Sequence, residues 1–143
     1  MARSIRTATI RQRVTISAPP DEVYCALTNA RQHAAFTESE ATGSGRVGAR
    51  FTAWDGYIHG KHLVLEKPRR IVQEWSTTEW PSGAAPSRLE IRLEPKGTGT
   101  LLVMVHAGVP AAQAASLRQG WKDYYWSPLR AWFASKGRGR TKT

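Results

Sequence analysis

The chain has 143 residues, of which 41% are apolar and six are tryptophan. That length suits one domain with a single core, and that apolar share is too high for a disordered chain. One cysteine excludes an internal disulfide and a multi-cysteine metal site, and no apolar run reaches the roughly eighteen residues of a membrane-spanning helix.

The net charge of +10 is unevenly spread. Arg3, Arg6, Arg11 and Arg13 crowd one end and Lys136, Arg138, Arg140 and Lys142 the other, with no acid among them. Between them, residues 14–135 hold 13 basic and 11 acidic residues. The expected organisation is a domain over 10–135, flanked by basic tails over 1–9 and 136–143. Such tails attract polyanions without reading sequence, so no specific nucleic-acid partner is expected. The first fourteen residues have arginines but no apolar stretch, unlike a secretory signal. A cytoplasmic location follows as the expectation.

In chain order, Ile10–Ile16 alternates apolar and polar residues and reads as a half-buried strand. The prolines of Ser17-Ala-Pro-Pro-Asp-Glu22 suit a first helical turn, where the two acids favour the positive dipole end. Val23, Tyr24, Ala26 and Leu27 give that helix an apolar face, and a second short helix is expected over Ala30–Phe36. Six strands follow, at Glu38–Thr42, Arg50–Trp54, Tyr57–Glu66, Arg70–Thr77, Arg88–Glu94 and Leu101–Ala107. Asp55-Gly56 supplies a tight-turn signal between two of them. All the connections are short, which favours antiparallel neighbours.

Alanine-rich Ala111–Ser135 reads as a long helix. On a helical wheel Leu117, Trp121, Tyr124, Tyr125, Pro128, Leu129 and Trp132 share an arc of about 140°. Pro128 removes a helical hydrogen bond and crowds the preceding turn, so a bend is expected near Tyr124–Pro128 that wraps the helix around the curve of the sheet. The order predicts an α+β helix-grip architecture, a curled antiparallel sheet of about six to seven strands wrapped around the terminal helix.

The Val23–Thr37 segment, Trp54-Asp-Gly-Tyr-Ile-His-Gly60, Glu74-Trp75, Glu79-Trp-Pro-Ser-Gly83, Gly108-Val-Pro110 and Arg118-Gln-Gly-Trp-Lys-Asp-Tyr-Tyr125 together resemble the C-terminal domain of the heat shock protein 90 ATPase activators. The resemblance spans about residues 10–135 and implies the helix-grip, START-like fold. Eukaryotic activators join this domain to a separate N-terminal domain, to which nothing in these 143 residues corresponds. Chaperone activation is therefore not carried over, and function has to come from the site.

Phe36, Phe51, Trp54, Trp75, Trp121, Tyr124 and Tyr125 lie on elements that should face one another, forming either a solid core or a lined pocket for a small hydrophobic or aromatic molecule. His106, near the end of the last strand, is expected at the pocket rim as a structural histidine, and is the first choice for acid–base work if the pocket belongs to a hydrolase or cyclase. His33 falls on the second short helix. His59 and His62, three apart, should face opposite sides of one strand, which excludes a two-histidine metal site there. Glu38 with Glu40, and Glu90 with Glu94, read as solvated pairs, and Cys25 as a small buried packing residue. No nucleophile elbow, phosphate loop or dinucleotide fingerprint occurs, so neither cofactor nor metal is expected. Trp126 and Phe133 fall about 180° and 160° from Leu117, on the outer face. They are the candidate protein interface, for a chaperone or for self-association. A binding protein rather than an enzyme is the resulting expectation.

Overall fold

The structure, a computed structural model, describes residues 5–141 and the side chains of residues 5–136. Arg3 and the basic side chains beyond Lys136 therefore lie outside the described residues. Strand β1 (Thr7–Ile16) leads into helices α1 (Pro20–Thr28) and α2 (Ala30–Thr37). Five strands follow: β2 (Arg50–Ala53), β3 (Ile58–Glu66), β4 (Arg70–Thr77), β5 (Ser87–Lys96) and β6 (Gly99–Pro110). The chain closes with α3 (Ala111–Trp121), a π turn over Lys122–Trp126, and α4 (Ser127–Thr141). All strand pairs are antiparallel, in the order β1-β6-β5-β4-β3-β2.

The α+β helix-grip architecture holds, and the differences from expectation are local. β1 begins three residues early, which places part of the supposed N-terminal tail in the sheet. Glu38–Thr42 is not a strand. Glu38 takes a left-handed backbone (φ 57°) that stops α2, and only Thr42 forms a bridge, to Thr52. Glu38 and Glu40 are both exposed.

Side chains alternate across the sheet because strand periodicity is two. One face buries Ile10 and Ile16 from β1, Ile71 and Trp75 from β4, Leu89, Ile91 and Leu93 from β5, and Leu102, Met104 and His106 from β6. His59 is exposed and His62 buried, so the two do face opposite sides. Cys25 is only half-buried. Glu90 accepts a hydrogen bond from Arg70 at 2.7 Å and from Arg92 at 3.1 Å, and pairs with Arg88 at 3.5 Å. The Arg70 bond is the main reason its carboxyl sits below the usual glutamate range.

Gly60 on β3 pairs with Trp75 on β4 at a crowded position. A Cβ there would collide with the Glu74 carbonyl oxygen and lie 2.7 Å from Phe51 Cζ. The first neighbour is backbone and cannot turn away. Gly60→Ala is therefore expected to cost about 2 kcal/mol or more, read as a lowered midpoint in urea.

Candidate functional site: a ring-lined cavity

The terminal helix is one α-helical run interrupted by a single wide turn. Ser127 N–H bonds to the carbonyl of Lys122, five residues back, instead of four. This turn falls immediately before Pro128, which has no N–H for the Tyr124 carbonyl and whose ring would crowd it. In place of the expected bend the helix takes up a π turn, and this changes which side chains face inward. One additional residue in a turn sets the following residues back by about 100° on the wheel.

Trp126 and Phe133 consequently rotate into the core, where each is 4% exposed. Trp126 stacks on Trp121 at 5.2 Å and 15°, and its ring N–H donates to Gln12 Oε1 at 2.6 Å. The expectation that these two form an exposed interface is corrected: both belong to the core. Tyr124, placed on the inward stripe by the regular wheel, is 58% exposed. Trp121 keeps its inward position, 4% exposed, against Trp75 and Tyr125.

Between the helix and the β2–β4 end of the sheet lies a cavity of about 330 Å³. The β2–β3 turn contributes Trp54 and Tyr57, the strands Ile58 and Trp75, and the helix Ser116, Leu117, Gly120, Trp121, Tyr124 and Tyr125. No charged side chain lines it. Six aromatic rings make the walls, while Ser116 and Gly120, four apart on one helix face, leave the space.

Trp54 occupies the turn expected at Asp55-Gly56. Trp54, Asp55 and Gly56 all have positive φ (52°, 58° and 89°), and Asp55 Oδ1 accepts from the Glu40 N–H at 2.8 Å. Left-handed backbone is costly for a bulky residue. Here it sets the Trp54 ring edge-on to Tyr124 at 5.4 Å across the cavity mouth. Beside it the Tyr57 hydroxyl donates to Glu79 Oε1.

Five of the eight expected pocket residues, Trp54, Trp75, Trp121, Tyr124 and Tyr125, line this cavity. Phe51 instead lines a gap of about 40 Å³ deeper in the domain, which shares Trp75, Trp121 and Tyr125 as walls. Phe36 is buried against His33, Tyr125 and Trp132. His106 is not at a rim. It is fully buried behind Trp75 and Trp121, because β6 continues to Pro110 instead of ending near Ala107. Sequence reasoning missed Tyr57, Ile58, Ser116 and Gly120. The small residues at i and i+4 beside the aromatic stripe were the available signal.

The hydrogen bonds of His106 fix its chemistry. Trp121 Nε1–H is only a donor, so Nδ1, 3.2 Å away, must accept. The other nitrogen then carries the proton and donates to Ser87 Oγ at 2.7 Å, and Ser87 donates onward to the Trp75 carbonyl at 2.6 Å. Burial pushes the imidazole pKa down to about 3. His106 is thus a neutral structural link with both nitrogens engaged, and Ser87 has no base to activate it.

Tyr125 links the cavity to the partly buried His33. Its hydroxyl lies 3.0 Å from His33 Nε2. Burial raises its pKa well above the usual tyrosine value, while the nearby Trp54 ring N–H, outside hydrogen-bonding geometry, partly opposes the rise. Burial likewise lowers His33 to about 4. Among the described residues no group of three His, Cys, Asp or Glu side chains is placed to hold a metal ion, and no helix is long and apolar enough to cross a membrane.

Four similarities to known proteins bear on this arrangement. The human activator of 90 kDa heat shock protein ATPase homolog 1 is 30% identical over 129 residues, which is 90% of this chain but 38% of that protein. This chain therefore spans well under half the length of that relative. The solved structure of an HSP90 activator from Plasmodium falciparum superposes with a TM-score of 0.82 at 21% identity, covering 88% of this chain and 96% of that one; at that identity it speaks for the fold alone. CalU16 from Micromonospora echinospora superposes at 0.71 with 27% identity, covering 92% and 84%. The model of the Activator of Hsp90 ATPase homolog 1-like protein family matches residues 17–134. Residue pattern, helix-grip fold and family match agree, and the chain belongs to the Activator of Hsp90 ATPase homolog 1-like family.

Proposed function

We propose that this chain binds a small, uncharged, ring-bearing molecule between its sheet and its terminal helix. The observation that carries this reading is the cavity of about 330 Å³ walled by six aromatic rings and no charge. Its size lies at the lower end of small-molecule sites, which are mostly apolar with a few polar anchors. Ser116 and the tyrosine hydroxyls supply such anchors. The engagement of both His106 nitrogens favours binding over acid–base chemistry.

A thermal-shift screen against lipids and aromatic metabolites tests the reading. A true ligand raises the melting temperature progressively with its concentration. Gly120 provides the blocking control. A Cβ there meets only Tyr124 Cδ2, at 3.7 Å, so Gly120→Ala should stabilise the helix by about 0.5–1 kcal/mol. Gly120→Leu should fold equally well yet abolish the ligand shift. A hit that stabilises Gly120→Leu as strongly as the natural chain would place binding elsewhere.

The second reading is chaperone association. It rests on the similarity to the human activator, of which this chain spans 38%. It predicts that adding the chain changes the ATPase rate of a 90 kDa heat shock protein, and an unchanged rate at saturating chain counts against it.

A further inference from the structure

The positive charge is not confined to the chain ends. Arg11 and Arg13 project from the exposed side of β1, two residues apart. Lys122 and Arg130, both exposed, approach from the π turn and α4. With Gln12, Val14, Trp126 and Ser127 these four cations line a groove of about 480 Å³ that has no carboxylate in its walls. None of the four takes part in an ion pair among the described residues, whereas Arg70, Arg88 and Arg92 share Glu90 on the sheet.

Two further features fit the groove to an extended chain. β1 is an edge strand, so every second residue presents its N–H and C=O outward, where an added strand can pair. The floor is already built. Gln12 Oε1 holds the Trp126 ring N–H at 2.6 Å, and Gln12 Nε2 donates to the Arg118 carbonyl at 2.8 Å. Trp126 is 4% exposed and offers no face for a base to stack upon, which disfavours single-stranded nucleic acid.

We infer that this groove docks an extended acidic segment of a partner protein, its backbone running along β1 and its carboxylates meeting Arg11, Arg13, Lys122 and Arg130. The groove lies on the opposite flank of the helix from the aromatic cavity and does not depend on what that cavity holds.

The test uses a fluorescein-labelled peptide of alternating glutamate and threonine, followed by fluorescence anisotropy at several salt concentrations. Oligothymidylate of equal charge is the competing probe. The peptide should bind, more weakly as salt rises. An Arg11→Gln, Arg13→Gln, Lys122→Gln variant should lose about tenfold or more in affinity with an unchanged melting temperature. A Lys136→Gln, Arg138→Gln, Arg140→Gln variant should stay within about twofold, since only the groove charges are read. Amide chemical-shift changes on titration should concentrate in β1. Natural affinity in the groove variant, an equal loss in the C-terminal variant, or tighter binding of oligothymidylate would each overturn the inference.

Discussion

Trp121→Ala is expected to destabilise the domain by about 3–5 kcal/mol, a large part of the total stability of an ordinary domain. The ring touches Trp75, His106, Tyr125 and Trp126, with centroids 4.7 to 5.7 Å away, and its N–H is the donor that Nδ1 of His106 accepts. Truncation leaves both a void and a buried acceptor without its partner, and the two costs add. Tyr124→Ala, three residues on, should cost under about 1 kcal/mol, because that ring is largely in solvent. The comparison is made by urea denaturation of the two variants at one pH. Equal losses would mean that the helix does not present the two rings to different environments.

Mild acid should weaken the fold through its buried histidines. His106 and His33 are held neutral, with pKa values lowered to about 3 and about 4, and His62 is lowered as well, in each case by burial. In the unfolded chain a histidine takes up its proton near pH 6.5. Below that pH the unfolded state binds more protons than the folded one, so stability falls as pH falls, and continues to fall until the folded values are reached. Each such histidine contributes up to about 1.4 kcal/mol per pH unit. His106 and His33 together should therefore remove about 3 kcal/mol or more between pH 6.5 and 4.5. Glu90, held low by Arg70, begins to matter only below that window. His106→Gln offers an acceptor for Trp121 and a donor for Ser87 but cannot titrate. Melting temperatures measured from pH 7 to 4.5 should decline less steeply in that variant. Parallel profiles would mean that His106 is not the buried neutral group its hydrogen bonds describe.

Much of the site can be read from the sequence. The order of elements placed Trp75 between sheet and helix, the Asp55-Gly56 signal located the turn that carries Trp54, and the aromatic stripe placed Trp121 and Tyr125 against the sheet. Pro128 announced where the terminal helix would depart from regularity. Glu38–Thr42 is expected as a strand, whereas Glu38 in a left-handed conformation ends α2 there.

Local pattern encodes period, and period was enough to define the helices, all but one of the expected strands, and the grip arrangement that holds them. It does not encode phase past a non-α turn. A proline says that the ladder breaks, but whether the chain kinks, ends or absorbs one additional residue depends on what the sheet accepts beneath it. The π turn settled that for Trp126, Phe133 and Tyr124 together. The same tertiary contacts decided which His106 nitrogen holds the proton, and brought Arg11 and Arg13 beside Lys122 and Arg130 across more than a hundred residues of chain. Distances of that kind are set when a sheet curls around a helix, and no window of neighbouring residues contains them.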